Sequence, residues 1–177
     1  MGHDFPTGPL DIIQAWVELK VTDEKGQVVF TSGSVDAAHF VAPGSFMFKA
    51  EPVDQHGNLI DKHNLWEMVG VRFRRSLFPG FSDVAEYTVA CPADTTARPE
   101  GADRTEDASF QVPPGASGTL KIAATLHYRK VDQFLLNFMF GEKEGLTATI
   151  TDMSHAEATV RVVPTPVATT PEPRSGM

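Results

Sequence analysis

The chain is poor in cysteine: Cys91 is the only one among 177 residues, so no intrachain disulfide can form. For the same reason the chain holds no Cys-x-x-Cys-His segment of its own. No apolar run approaches the about 20 residues that a membrane-crossing helix requires. No basic, apolar, small-residue leader opens the sequence, so export would depend on a signal upstream of Met1. Dinucleotide, P-loop, nucleophile-elbow and zincin motifs are all missing. Positive charge is also scarce, with 15 Lys and Arg against 23 Asp and Glu and a net charge of −8. That balance repels nucleic acid and anionic membrane surfaces and favours a basic partner protein. The six histidines include no His-x-His or i,i+4 pair, and Asp23-Glu24-Lys25-Gly26 lacks the EF-hand ligand pattern.

What is present is enough apolar material for a core, at 41% hydrophobic residues. Its dominant period is two. Ile13, Ala15, Val17, Leu19 and Val21 alternate with Gln14, Glu18, Lys20 and Thr22, and Trp16 alone breaks the polar side. Asp23-Glu24-Lys25-Gly26 supplies turn chemistry, and Val28-Val29-Phe30 resumes the strand. A similar unit follows: Phe46, Phe48 and Ala50 alternate with polar neighbours, Asp54-Gln55-His56-Gly57 turns, and Leu59-Ile60 continue. Further strands are expected around Val69–Phe73, Ala85–Val89, Leu120–Tyr128 and Ala156–Val162. Phe134, Leu135, Phe138 and Met139 have the spacing of one short helical face or an apolar loop. Residues 93–109 read as a long polar loop, and the Pro/Thr-rich stretch from Pro164 as a tail unable to bury a core. These signals predict an all-β, antiparallel, immunoglobulin-like sandwich of roughly seven to nine strands over residues 1–163, with a disordered tail or linker over 164–177.

Few residues stand out chemically. Cys91, in Val89-Ala90-Cys91-Pro92, reads as a half-buried thiol at a strand end. His3 precedes a strand and His63 lies in Lys62-His63-Asn64-Leu65-Trp66, so both are candidate metal ligands near strand ends. His56 falls in a turn, and His127 lies on the polar side of its strand, as a surface residue would. Arg72, Arg74 and Arg75 would form a basic strip with Arg129 and Lys130 if their strands are neighbours. Trp16, off pattern, is expected to pack under a loop or against a neighbouring domain. Trp16, Arg72, Arg74 and Arg129 are therefore the candidate interface residues.

Several islands together resemble the β-sandwich domain at the C-terminal end of bacterial multihaem c-type cytochromes of the cytochrome c554-like group. They are Gly2-His3-Asp4-Phe5-Pro6-Thr7-Gly8, Trp16-Val17-Glu18, Val21-Thr22-Asp23-Glu24-Lys25-Gly26, Ser32-Gly33, Pro79-Gly80-Phe81-Ser82-Asp83, Leu126-His127-Tyr128-Arg129-Lys130 and the strand around Val160. The resemblance implies a periplasmic or otherwise extracytoplasmic electron-transfer protein whose c-type haems lie upstream of this chain, with none inside it. It implies a non-catalytic module that docks on the haem-bearing domain of the same parent chain or on a redox protein, its arginines meeting an acidic partner or haem propionates. It also implies that His3 faces a haem iron or copper. Neither a nucleic-acid partner nor a membrane-spanning segment is expected. A different reading of the same sandwich is an autonomous adhesion or carbohydrate-binding module using Trp16 or Trp66.

Overall fold

A computed structural model describes residues 2–88 and 118–162. Within them the chain forms seven strands and one α-helix: β1 Gln14–Thr22, β2 Val28–Ser32, β3 Met47–Phe48, β4 Ala50–Val53, β5 Gly70–Arg74, β6 Gly118–Arg129, α1 Gln133–Phe140 and β7 Thr151–Val162. All pairings are antiparallel, so the all-β fold that the alternation predicts is the fold adopted. The larger sheet runs in the order β2-β1-β6-β7, with β3 also paired to β1. The smaller consists of β4 and β5. The predicted thiol at Cys91, the polar loop at 93–109 and the tail from residue 164 lie outside the described residues.

Strand β1 is the centre of the molecule. It pairs along its whole length with β6, from Gln14↔Arg129 to Thr22↔Lys121. On its other edge β2 covers Leu19 to Thr22 and β3 covers Ala15 and Trp16. Both edges being filled, its side chains Ala15, Trp16, Leu19 and Val21 are buried. The segment expected as one strand from Phe46 to Glu51 divides at Lys49: Met47 and Phe48 pair with β1, whereas Ala50 onward pairs with β5. This short crossing carries the chain from one sheet to the other. Leu59 makes only an isolated bridge to Val53, so the second turn does not close a full hairpin. Residues 81–88 have no regular structure, and the strand expected around Ala85 and Tyr87 is not formed there. Desolvation of Tyr87 raises the pKa of its phenol, consistent with a ring packed edge-on against Phe30 rather than a strand position.

Three turns share one design. The Oδ1 of Asp23 accepts from the amides of Lys25 and Gln27 at 2.9 and 2.8 Å. Asp54 does the same for His56 and Asn58, and Asp36 for Ala38 and Phe40. The fourth residue closes each turn at positive φ: Gly26 at 78°, Gly57 at 81° and His39 at 66°. Sequence reading finds the first two from Asp-x-x-Gly and misses the third, because His39 occupies the glycine position. A left-handed conformation costs a residue with a Cβ roughly 1–2 kcal/mol. His39→Gly should therefore retain the fold and raise stability by about 0.5 kcal/mol, the relief being partly offset by unfolded-chain entropy. Asp36→Ala should lower it by about 1 kcal/mol. Thermal melts of both variants check the opposite signs.

Candidate functional site

The most specific sequence island, His3 to Gly8, is a brace. Phe5 exchanges two backbone hydrogen bonds with Leu77, both 2.8 Å, and its ring meets Phe48 edge-on at 5.5 Å. Pro6, which follows a cis peptide bond, is fully buried. Asp4 bonds to Arg74 at 2.5 Å. Gly8 holds a φ of 110°, where a side chain would crowd Ile13. The island thus ties the chain start to the residues beyond β5. His3 itself is exposed.

The second constellation surrounds Trp16. Its indole is fully buried and donates from Nε1 to the carbonyl of Gly33 at 2.9 Å. Opposite Trp16 on β6 stands His127, ring centroids 5.2 Å apart, and the Arg129 guanidinium lies 5.7 Å from the indole. Arg129 is 1% exposed; it donates to Gln14 Oε1 through Nε and to the His39 carbonyl through Nη1 at 2.6 Å. Burial pulls the pKa of Arg129 down, and the charges of Asp132 and Asp36 hold it up. Its Nη2 has no hydrogen-bond partner among the described residues. Asp132 caps α1 by accepting from the Leu135 amide at 2.7 Å, and burial raises its carboxyl pKa.

His127 is not the surface residue expected from its strand position. Its side chain is 12% exposed and lies between two carboxylates, with Nε2 2.8 Å from Glu18 and Nδ1 2.7 Å from Asp152. Only the imidazolium can donate to both. The pairing of β1, β6 and β7 creates this group from three distant segments, and nothing in the local sequence of any one of them marks it.

The predicted basic strip does not form. Arg72 and Arg74 belong to β5 in the smaller sheet, while Arg129 lies in the other sheet and is buried. Arg72 pairs with Glu51 at 2.8 Å, Arg74 with Asp4, and Arg75 with Asp83 at 3.3 Å. Arg75 also stacks 4.1 Å from the centre of Phe46. Trp16 and Arg129, proposed as interface residues, are core residues of this chain; Trp16 does pack under a loop. His63 binds Asp11 through Nδ1 at 2.6 Å and remains 44% exposed. Among the described residues no three His, Cys, Asp or Glu side chains are grouped to hold a metal.

Among the exposed large apolar side chains of the described residues are two groups. One is Trp66, Val69, Phe78, Phe81 and Val84 around β5, with Trp66 82% exposed. The other is Phe134, Phe138, Met139 and Phe140 on α1, whose buried side holds Leu135 and Gln133. Tight apolar patterning cannot identify such faces, because exposure depends on what packs against them.

No protein-family model matches the chain, and no curated protein matches it. The fold is similar to part of a solved structure, a penta-haem cytochrome c552 from Thermochromatium tepidum, with a TM-score of 0.55 and 15% sequence identity. The likeness covers 89% of this chain and 33% of that one, so this chain spans about a third of the cytochrome's length. At that identity the shared property is the fold. No helix among the described residues is long and apolar enough to cross a membrane.

Two measurements follow from this geometry. Gly33→Ala would place a Cβ 2.3 Å from the Val17 carbonyl oxygen at a φ of 79°. It should cost about 3 kcal/mol or more by urea unfolding. The second concerns acid. Hydrogen bonds from Ser76 and then Arg74 lower the Asp4 pKa, and those from Lys49 and then Arg72 lower that of Glu51. A lowered folded pKa gives stability that is present above the unfolded value, near 4, and is lost as pH falls through the folded one. Asp4→Asn should therefore reduce stability at neutral pH and flatten its loss between about pH 5 and 2.

Proposed function

We propose that this chain is a non-catalytic β module of an exported, periplasmic multihaem electron-transfer protein, docked on the haem-bearing part of the same polypeptide. The observation that carries this reading is the shared fold with one third of a penta-haem cytochrome, the other two thirds of which have no counterpart here. The resemblance of the His3–Gly8 island supports it, and so do the exposed aromatic faces around β5 and α1, which suit a neighbouring domain. A covalently attached c-type haem does not fit this chain itself, since Cys91 is its one cysteine. In this reading His3 is the one residue offered to a group held next door, because its imidazole is exposed at the chain start. The module would otherwise act by covering and positioning the haem domain.

The competing reading, a carbohydrate-binding module, loses Trp16 to the core and keeps Trp66, the exposed indole. Glycan binding that disappears in Trp66→Ala would favour it. The main test is the native polypeptide. Antibodies to this domain should capture a longer chain whose haem survives denaturing electrophoresis and gives a c-type pyridine haemochrome spectrum. Capture of a haem-free polypeptide would overturn the proposal. Titration of this chain with haemin or Cu²⁺ should perturb the spectrum in the wild type and less in His3→Ala. Equal spectra leave the module a packing role alone.

A further inference from the structure

Strand β7 closes the larger sheet at one end, and its outer edge pairs with no strand among the described residues. It is 12 residues long, and 11 of them are exposed. From Ser154 to Val162 its register with β6 is regular; the one shift falls at Leu126/His127, before Ser154. That stretch contains no proline, glycine or lysine. Natural sheet edges are usually blunted by such residues, by bulges or by shortness, because an open row of N–H and C=O groups templates pairing with another chain.

We propose that β7 pairs antiparallel with β7 of a second copy of this chain, about a two-fold axis at Thr159. The occupant follows from charge. In a two-fold antiparallel pair the residues facing each other are related by the axis. An axis at Glu157 would set two carboxylates opposite one another. An axis at Thr159 sets Glu157 opposite Arg161 of the second copy, twice by symmetry. It also sets Ala158 opposite Val160 and Ala156 opposite Val162 on the other face, so each face is matched. Arg161 is exposed and makes no ion pair among the described residues, while Glu157 makes one long contact, 3.2 Å to His155. Opposite charges facing across strands stabilise the pair, and like charges destabilise it. The result is a continuous sheet joining two copies of the β2-β1-β6-β7 order, with backbone bonds giving affinity and Glu157 and Arg161 setting register. This inference does not depend on the haem-protein reading.

Sedimentation velocity of the 177-residue chain up to about 200 µM tests it, a range suited to an interface this small. The wild type should show a concentration-dependent dimer. Glu157→Arg and Arg161→Glu should each weaken it roughly tenfold, since each places like charges opposite at two symmetric positions. The double variant should restore it. Thr159→Lys, at an exposed position, faces itself across the axis and should also dissociate the dimer. Circular dichroism confirms that each variant is folded. A wild type that is monomeric throughout would overturn the proposal. So would a dimer indifferent to the single reversals, or a double variant that stays monomeric.

Discussion

The buried contact among Trp16, Gly33 and Arg129 fixes the rest of this structure. An indole and a guanidinium placed in the interior must each find hydrogen-bond partners, or the desolvation of their polar groups destabilises the fold. Trp16 finds the Gly33 carbonyl, and Arg129 finds Gln14 and the His39 carbonyl. Gly33 and His39 lie in the segment after β2, so satisfying two side chains of the main sheet pins that segment over it. Gly33 has to be glycine because a Cβ there would run into the backbone of β1 and its φ is positive. His39 tolerates a left-handed conformation because its turn is bonded through Asp36 and its carbonyl is held by Arg129.

From this centre the fold is extended by repetition of one device. Three aspartates each bond two amides and set a positive-φ residue in the fourth place. The smaller sheet is only two strands, an arrangement with little stability of its own. Its support comes from outside: the Ala50 amide bonds to Leu10, and Phe5 bonds to Leu77 just past β5. The His3–Gly8 island is therefore architectural, with Asp4, Phe5 and Pro6 as working residues and His3 left outside. Among the described residues, apolar faces around β5 and on α1 are directed at solvent.

Strand existence was legible in the sequence wherever one face is apolar and the other polar. Ala15 to Val21 and Leu120 to Tyr128 alternate cleanly, and they form β1 and β6. The helix spacing of Phe134 to Met139 likewise becomes α1. Legibility ended where partners decide. Phe46–Glu51 alternates as one strand, yet the chain changes sheets at Lys49, which no local period records. Arg72 and Arg129 look equivalent in sequence; one is an exposed ion pair and the other a buried donor beside an indole. His127 reads as solvent-facing until β1 and β7 bring Glu18 and Asp152 to its two nitrogens.

By itself the sequence determined the class of fold, the two Asp-x-x-Gly turns and the lack of a Cys-x-x-Cys-His segment, since period, turn chemistry and cysteine number are local properties. Only the tertiary structure decided which side chains are interior, which arginines are engaged, and that the outer edge of β7 pairs with no strand among the described residues. Those outcomes depend on contacts between residues up to 115 positions apart, such as Gln14 and Arg129, and distance along the chain carries no record of proximity in space.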